Sequence, residues 1–114
     1  MYILTVRAFA DFDIPYNVNI TAFESSVRVN ALKDKLNELI SNHPKVDCDI
    51  RISEILEDEN FKNEFIETCK FVLLSAIPMS GITLFCEKCF EIFQKNYVYL
   101  NTNIFEICEV KVIS

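Results

Sequence analysis

Ile77-Pro78-Met79-Ser80-Gly81-Ile82-Thr83-Leu84-Phe85-Cys86-Glu87-Lys88-Cys89-Phe90-Glu91-Ile92-Phe93 is the stretch on which the fold turns. It contains the chain's single glycine and one of its three prolines, set between two strongly helical apolar segments. Beyond the corner, Ile82, Phe85, Cys86, Cys89, Phe90, Phe93 and Tyr97 recur at i, i+3, i+4, i+7, i+8, i+11 and i+15. That spacing predicts a helix with a wide apolar face, running to about Asn96 and entered through a sharp turn.

Upstream, Phe61, Phe65, Cys69, Val72 and Leu73 make a second helical stripe capped by Asn60. From Phe71 to Ile77 the residues are apolar nearly all round, as expected of a helix end sunk in the core. Glu24-Ser25-Ser26 offers an N-cap to a helix carrying Val29, Leu32, Leu36, Leu39 and Ile40, which Asn42-His43-Pro44 closes. Pro44 to Asp49 reads as a loop, and Ile50, Ile52, Ile55 and Leu56 as a short helix. Tyr2 to Phe12 reads as a first helix with Ile3, Val6, Phe9 and Ala10 inward, followed by a connector from Pro15 to Ala22. Tyr2 to Arg7 is also rich in β-branched and aromatic residues, so a strand is the alternative there. Tyr99 to Glu109 reads as a last helix, and Glu109 to Ile113 alternates as a short strand or extended end.

These elements fit one domain of 114 residues, 1–114, with no repeat, low-complexity stretch or dividing linker. One glycine and three prolines are too few for the turns of a β-sandwich or barrel, which favours an all-α bundle. The net charge of −6 opposes nucleic-acid binding and anionic membrane surfaces, since both need a basic face. No apolar run approaches the ~20 residues of a membrane span, and the first residues lack the pattern of a signal peptide. The sequence therefore points to a soluble intracellular protein.

Catalytic groups do not assemble. One histidine, His43, and no Gly-rich elbow leave a Ser or Cys nucleophile without a base. Glu87 and Glu91 sit beside Lys88 and Lys95 as solvated helix charges. The acidic run Glu54, Glu57, Asp58, Glu59 lacks the alternation and glycine of a calcium loop. Cys48, Cys69, Cys86, Cys89 and Cys108 are best read as reduced, mostly buried thiols. Cys86-x-x-Cys89 lacks further zinc ligands nearby and lies inside a helix, where a redox motif would open one. No cofactor or metal is expected, and the protein is read as a non-enzymatic binder. Ten phenylalanines exceed what so small a bundle hides, which predicts an exposed apolar groove or self-association face.

Three stretches carry a resemblance to the small poxvirus-type Bcl-2-like proteins that lack a membrane anchor. Tyr2-Ile3-Leu4-Thr5-Val6-Arg7-Ala8-Phe9 resembles their early first helix. Phe61 to Leu74, then Ala76 to Glu87, is similar to the fourth helix, the corner and the central fifth helix, with Ile82, Phe85 and Glu87 matching the apolar run. Pro78-Met79-Ser80-Gly81 departs from the family's Asn-Trp-Gly-Arg corner, so Gly81 stands where an arginine would pair with an aspartate of the BH3 ligand. The resemblance implies a helical bundle around a central hydrophobic helix, in the host cytoplasm. Its partners would be host pro-apoptotic BH3 proteins or components of innate NF-κB signalling. Val29, Leu32, Leu36, Phe65, Cys69, Val72, Gly81 and Phe85 would line a helix-accepting groove, and Val6, Phe9 and Phe105 a homodimer face. Two other architectures compete: a death-fold adaptor, and an α+β interaction domain in which Tyr2 to Phe9 and Ile107 to Ile113 pair as strands.

Overall fold

Leu4, Val6 and Ala8 are fully buried while Ile3, Arg7 and Phe9 are only half-buried, a period of two that belongs to a strand and that Thr5, 2% exposed, alone interrupts. The computed structural model describes residues 1–11, 14–46, 50–100 and 103–111. Its first element is the strand β1 (Tyr2–Ala10), followed by β2 (Ile14–Phe23), helix α1 (Ser26–Ser41), a single turn α2 (Ile52–Ile55), α3 (Glu59–Leu73), α4 (Met79–Lys95) and β3 (Phe105–Glu109). The strands form one antiparallel sheet in the order β2-β1-β3. The fold is therefore α+β, and the all-α Bcl-2-like bundle expected from the sequence is incorrect. The competing α+β arrangement is the one adopted, because Tyr2–Val6 pairs with Phe105–Glu109. Phe12, Cys48, Asp49, Val112 and Ile113 lie outside the described residues.

The correction has a physical origin. Ile3, Val6, Phe9 and Ala10 satisfy a helical spacing, yet Leu4, Val6 and Ala8 satisfy a strand spacing equally well. What decides between them is pairing with residues about a hundred positions away, which no local window contains. The Pro15 to Ala22 connector is wrong for a related reason. Ile14, Tyr16, Val18 and Ile20 alternate with Pro15, Asn17, Asn19 and Thr21, and proline is tolerated at the edge of a sheet. Tyr99 to Glu109 is not a helix: Tyr97 and Tyr99 form isolated bridges to Phe9 and Arg51, and Phe105 opens β3.

The middle of the chain follows its periodicity. Ser25 caps α1, its hydroxyl accepting from the Arg28 amide at 3.2 Å, and Asn42 ends it. Asp58, two residues before the expected Asn60, caps α3 by accepting from the Asn60 amide. Pro78 precedes α4, and Gly81 lies inside the first turn of that helix. Helix α3 stops at Leu73; Val72 and Leu73 are buried as expected, but Phe71 and Leu74 are 78% and 56% exposed, so the Phe71–Ile77 run is not sunk in the core all round.

Helix α1 lies across the sheet, α4 flanks β2, and α3 packs on both helices. Phe65 on α3 is the hub of the core. Its ring meets those of Phe90, Phe93, Phe105 and Phe61 at centroid distances of 5.2, 6.1, 6.2 and 6.4 Å. Aromatic burial of this kind supplies both area and preferred tilted geometries. Of the Ile82 stripe, Ile82, Phe85, Cys86, Cys89 and Phe93 are buried as expected and Phe90 partly so, while Tyr97 lies beyond α4 and is exposed; the stripe is one wall of a helical layer over a sheet and not an axis wrapped by other helices.

Candidate strand-docking edge

The two sides of the sheet end differently. In β1, Arg7 N–H donates to the Ile104 carbonyl at 2.8 Å, and Val110 N–H donates to the Met1 carbonyl at 2.8 Å. Odd-numbered β1 residues therefore bond towards β3 and even-numbered ones towards β2, as antiparallel ladders require. Phe105, paired with Val6, turns its own N–H and C=O away from the sheet. There the Asn37 side chain of α1 meets both groups. Its Oδ1 accepts from the Phe105 amide and its Nδ2 donates to the Phe105 carbonyl, each at 3.0 Å. One carboxamide thus imitates a neighbouring strand and seals that edge where it enters the core.

Among the described residues, edge β2 has no such cover. Tyr16 and Val18 bond towards Ala8 and Val6, so Asn17 and Asn19 direct their backbone N–H and C=O outward. The strand is ten residues long and carries no charge from Ile14 to Phe23. Natural edges are commonly protected by lysines, proline or a bulge. Here Pro15 stands near one end and a register shift opposite Leu4/Thr5 follows Asn19, which leaves the segment between them regular.

Beside the far end of β2, a cleft of about 280 Å³ opens against α4. Ile20, Ala22 and Phe23 form its strand wall, and Gly81 and Leu84 of α4, with Ile77 in the bend before it, the wall opposite. Phe23 meets Phe85 edge-on at 6.5 Å, which closes the floor. Gly81 widens the mouth: a Cβ there would reach Ile77 Cδ1 at 3.5 Å, an ordinary contact. Leu84 is 66% exposed at the rim, with Lys88 one turn further along α4. At the opposite end of the strand Ile14 is 59% exposed, and the Tyr16 hydroxyl is fixed to Asn96 Oδ1 at 2.7 Å. Edge and cleft together supply backbone partners and an apolar side-chain pocket on one line.

The groove residues expected from the sequence fall elsewhere. Val29, Leu32, Leu36, Phe65 and Cys69 are fully buried and Val72 nearly so, joining α1, α3 and the sheet. Only Gly81 and Phe85 of that set border the cleft. Of the expected dimer face, Val6 and Phe105 are buried beneath the helices, and Phe9 packs half-buried on Tyr99 with 5.3 Å between rings. The outer face of the sheet is tied by Arg7 and Glu106, 3.4 Å apart, and by the Thr5 hydroxyl donating to the Glu106 carbonyl.

Three thiols, Cys69, Cys86 and Cys89, are buried in the core, and Cys108 is exposed. A hydrogen bond to Cys86, reinforced by burial, pushes the Cys69 thiol far up, and the same contact draws Cys86 down. Burial pushes Cys89 up as well. Among the described residues no three His, Cys, Asp or Glu side chains converge to hold a metal ion, and no helix is long and apolar enough to cross a membrane. Glu54 and Asp58 of the acidic run act locally, accepting from the Arg51 and Asn60 amides. His43 Nδ1 accepts from the Lys45 amide, and its ring stands edge-on to Phe61.

No protein-family model, curated protein or solved structure matches this chain.

Proposed function

We propose that this protein is an interaction module that receives an extended polypeptide as an added strand along β2, with a side chain of that strand seated in the cleft against α4. The observation that supports this reading is the contrast between the two edges. The β3 edge is five residues long, carries Glu106 and Glu109 and is covered by Asn37 at Phe105, whereas β2 keeps a ten-residue, uncharged, outward-bonding edge next to an apolar pocket. Strand addition draws affinity from main-chain hydrogen bonds and selectivity from pockets for alternate side chains. Modulation of apoptosis or NF-κB signalling rested on a helical groove, and with a sheet in its place the α+β interaction domain is the better supported of the two readings.

The test is a displayed library of extended ten-residue peptides, with bound peptides mapped by amide chemical shifts. Perturbation of Asn17, Asn19, Ala22 and Leu84, weakened by Leu84→Glu, is the expected result. Binders that perturb only the Phe71 region or the outer sheet face, or a library with no binder for the monomeric protein, would refute the reading.

A further inference from the structure

We infer that the strand received by β2 is β2 of a second copy of this chain, the two running antiparallel about a twofold axis at Asn17. The inference rests on the strand-docking reading and adds the identity of the occupant. Three observations converge on it.

The first is register. Asn17 and Asn19 are the outward-bonding residues of the regular part of β2. An axis through Asn17 sets this residue opposite its own symmetry mate, with N–H to C=O bonds in both directions. Asn19 then faces Pro15, whose carbonyl accepts the Asn19 amide. The ring nitrogen of Pro15 has no hydrogen to offer, so each of these two pairs makes one of its two bonds and leaves the exposed Asn19 carbonyl to water. The register shift beyond Asn19, at Ile20, falls just outside the hydrogen-bonded run from Pro15 to Asn19.

The second is charge. A twofold axis confronts every nearby charge with its own copy, so a self-complementary surface must be neutral at its centre. A quarter of the chain's residues are charged and the net charge is −6, yet Ile14 to Phe23 contains none. Two copies therefore meet along this line without like charges directly opposed, which would be destabilising.

The third is shape. Ile14, 59% exposed, stands at one end of β2, and the cleft stands at the other. In the Asn17-centred register Ile14 falls opposite Ile20, at the mouth of that cleft, and Tyr16 falls opposite Val18. Each copy offers a projecting side chain where the other has a hollow, twice over. The product is a continuous six-stranded sheet, β3-β1-β2-β2-β1-β3, whose outer edges both carry the Asn37 seal.

Sedimentation equilibrium on the full chain tests this. The parent protein is expected to be a dimer at about 100 μM, a concentration that populates any complex of micromolar affinity. Asn17 is exposed, so Asn17→Lys and Asn17→Asp leave the fold intact, with circular dichroism and thermal midpoint as the control. Each variant alone places like charges across the axis and is expected to weaken dimerisation by roughly a hundredfold. An equimolar mixture of the two sets lysine against aspartate and is expected to restore the dimer. A parent protein that stays monomeric overturns the inference, and so does a dimer that persists unchanged in both variants. If the parent is monomeric while library peptides still shift the β2 amides, the second copy is ruled out and strand docking stands. If neither is seen, both fail.

Discussion

Replacing Asn37 by alanine removes both hydrogen bonds that hold the β3 edge, at 3.0 Å each. Phe105 is 1% exposed, so its amide and carbonyl have little access to replacement water. An orphaned buried polar group costs about 1–3 kcal/mol, and two at a partly buried site bring the loss to roughly 2–3 kcal/mol. Domains of this kind are stable by only about 5–15 kcal/mol, so the change is a large fraction of the total. With a urea slope of about 1.5 kcal/mol/M, the unfolding midpoint should fall by roughly 1.3–2 M at constant slope. Asn37→Asp is a graded control: it keeps an acceptor for the Phe105 amide but faces the carbonyl with a carboxylate, and should lose stability too. Hydrogen exchange at the Phe105 amide should accelerate in both variants. An unfolding free energy for Asn37→Ala within about 0.5 kcal/mol of the parent, the range of inert surface changes, would refute the claim that this carboxamide closes the sheet edge at Phe105.

Other expectations follow from burial. Phe65→Ala opens a cavity among four rings and should cost about 3–5 kcal/mol, whereas Phe71→Ala, six residues along the same helix, should change stability by less than about 0.5 kcal/mol in a denaturation series. Gly81→Ala places a methyl group at ordinary contact distance from Ile77 within a helical turn; a gain of up to about 1 kcal/mol should appear as a higher thermal midpoint, and a loss would mean that the cleft wall cannot accept it. In a Cys48→Ser background, alkylation followed by mass spectrometry should modify Cys108 in the native protein and reach Cys69, Cys86 and Cys89 only on unfolding, because those three are buried and Cys69 and Cys89 hold their protons.

Where the chain is governed by neighbours three and four residues away, its sequence is legible. The caps and stripes of α1, α3 and α4 lie within a residue or two of their expected places, since a helix satisfies its backbone internally and advertises its buried face locally. The sheet was illegible in proportion to its reach. Pairing of Tyr2 with Glu109 depends on a contact that no window of the sequence spans. The alternation of Ile14, Tyr16, Val18 and Ile20 was nonetheless present, masked by Pro15 and two asparagines that suggest a connector. The candidate site inherits that fate. Phe85 stands out in the helical stripe and Gly81 in the corner before it, whereas Asn17, Asn19 and Ile14 sit on a strand that the local pattern presents as a connector. Val29, Leu32 and Leu36 were correct as apolar-face residues and belong to the core, because the face they share is covered by α3 and the sheet.

The central position of β1 has a consequence for how the molecule comes into being. Its partner on one flank, β2, follows at once, while the other, β3, is synthesised only after the whole helical layer. A nascent chain holds a hairpin with a vacant flank on its innermost strand until Phe105 and the residues after it arrive. The ring that completes the Phe65 cluster arrives with them. Such late, distant closure slows acquisition of the native state and prolongs exposure of sticky backbone, so dependence on chaperones during synthesis should exceed that of a helical protein of equal size.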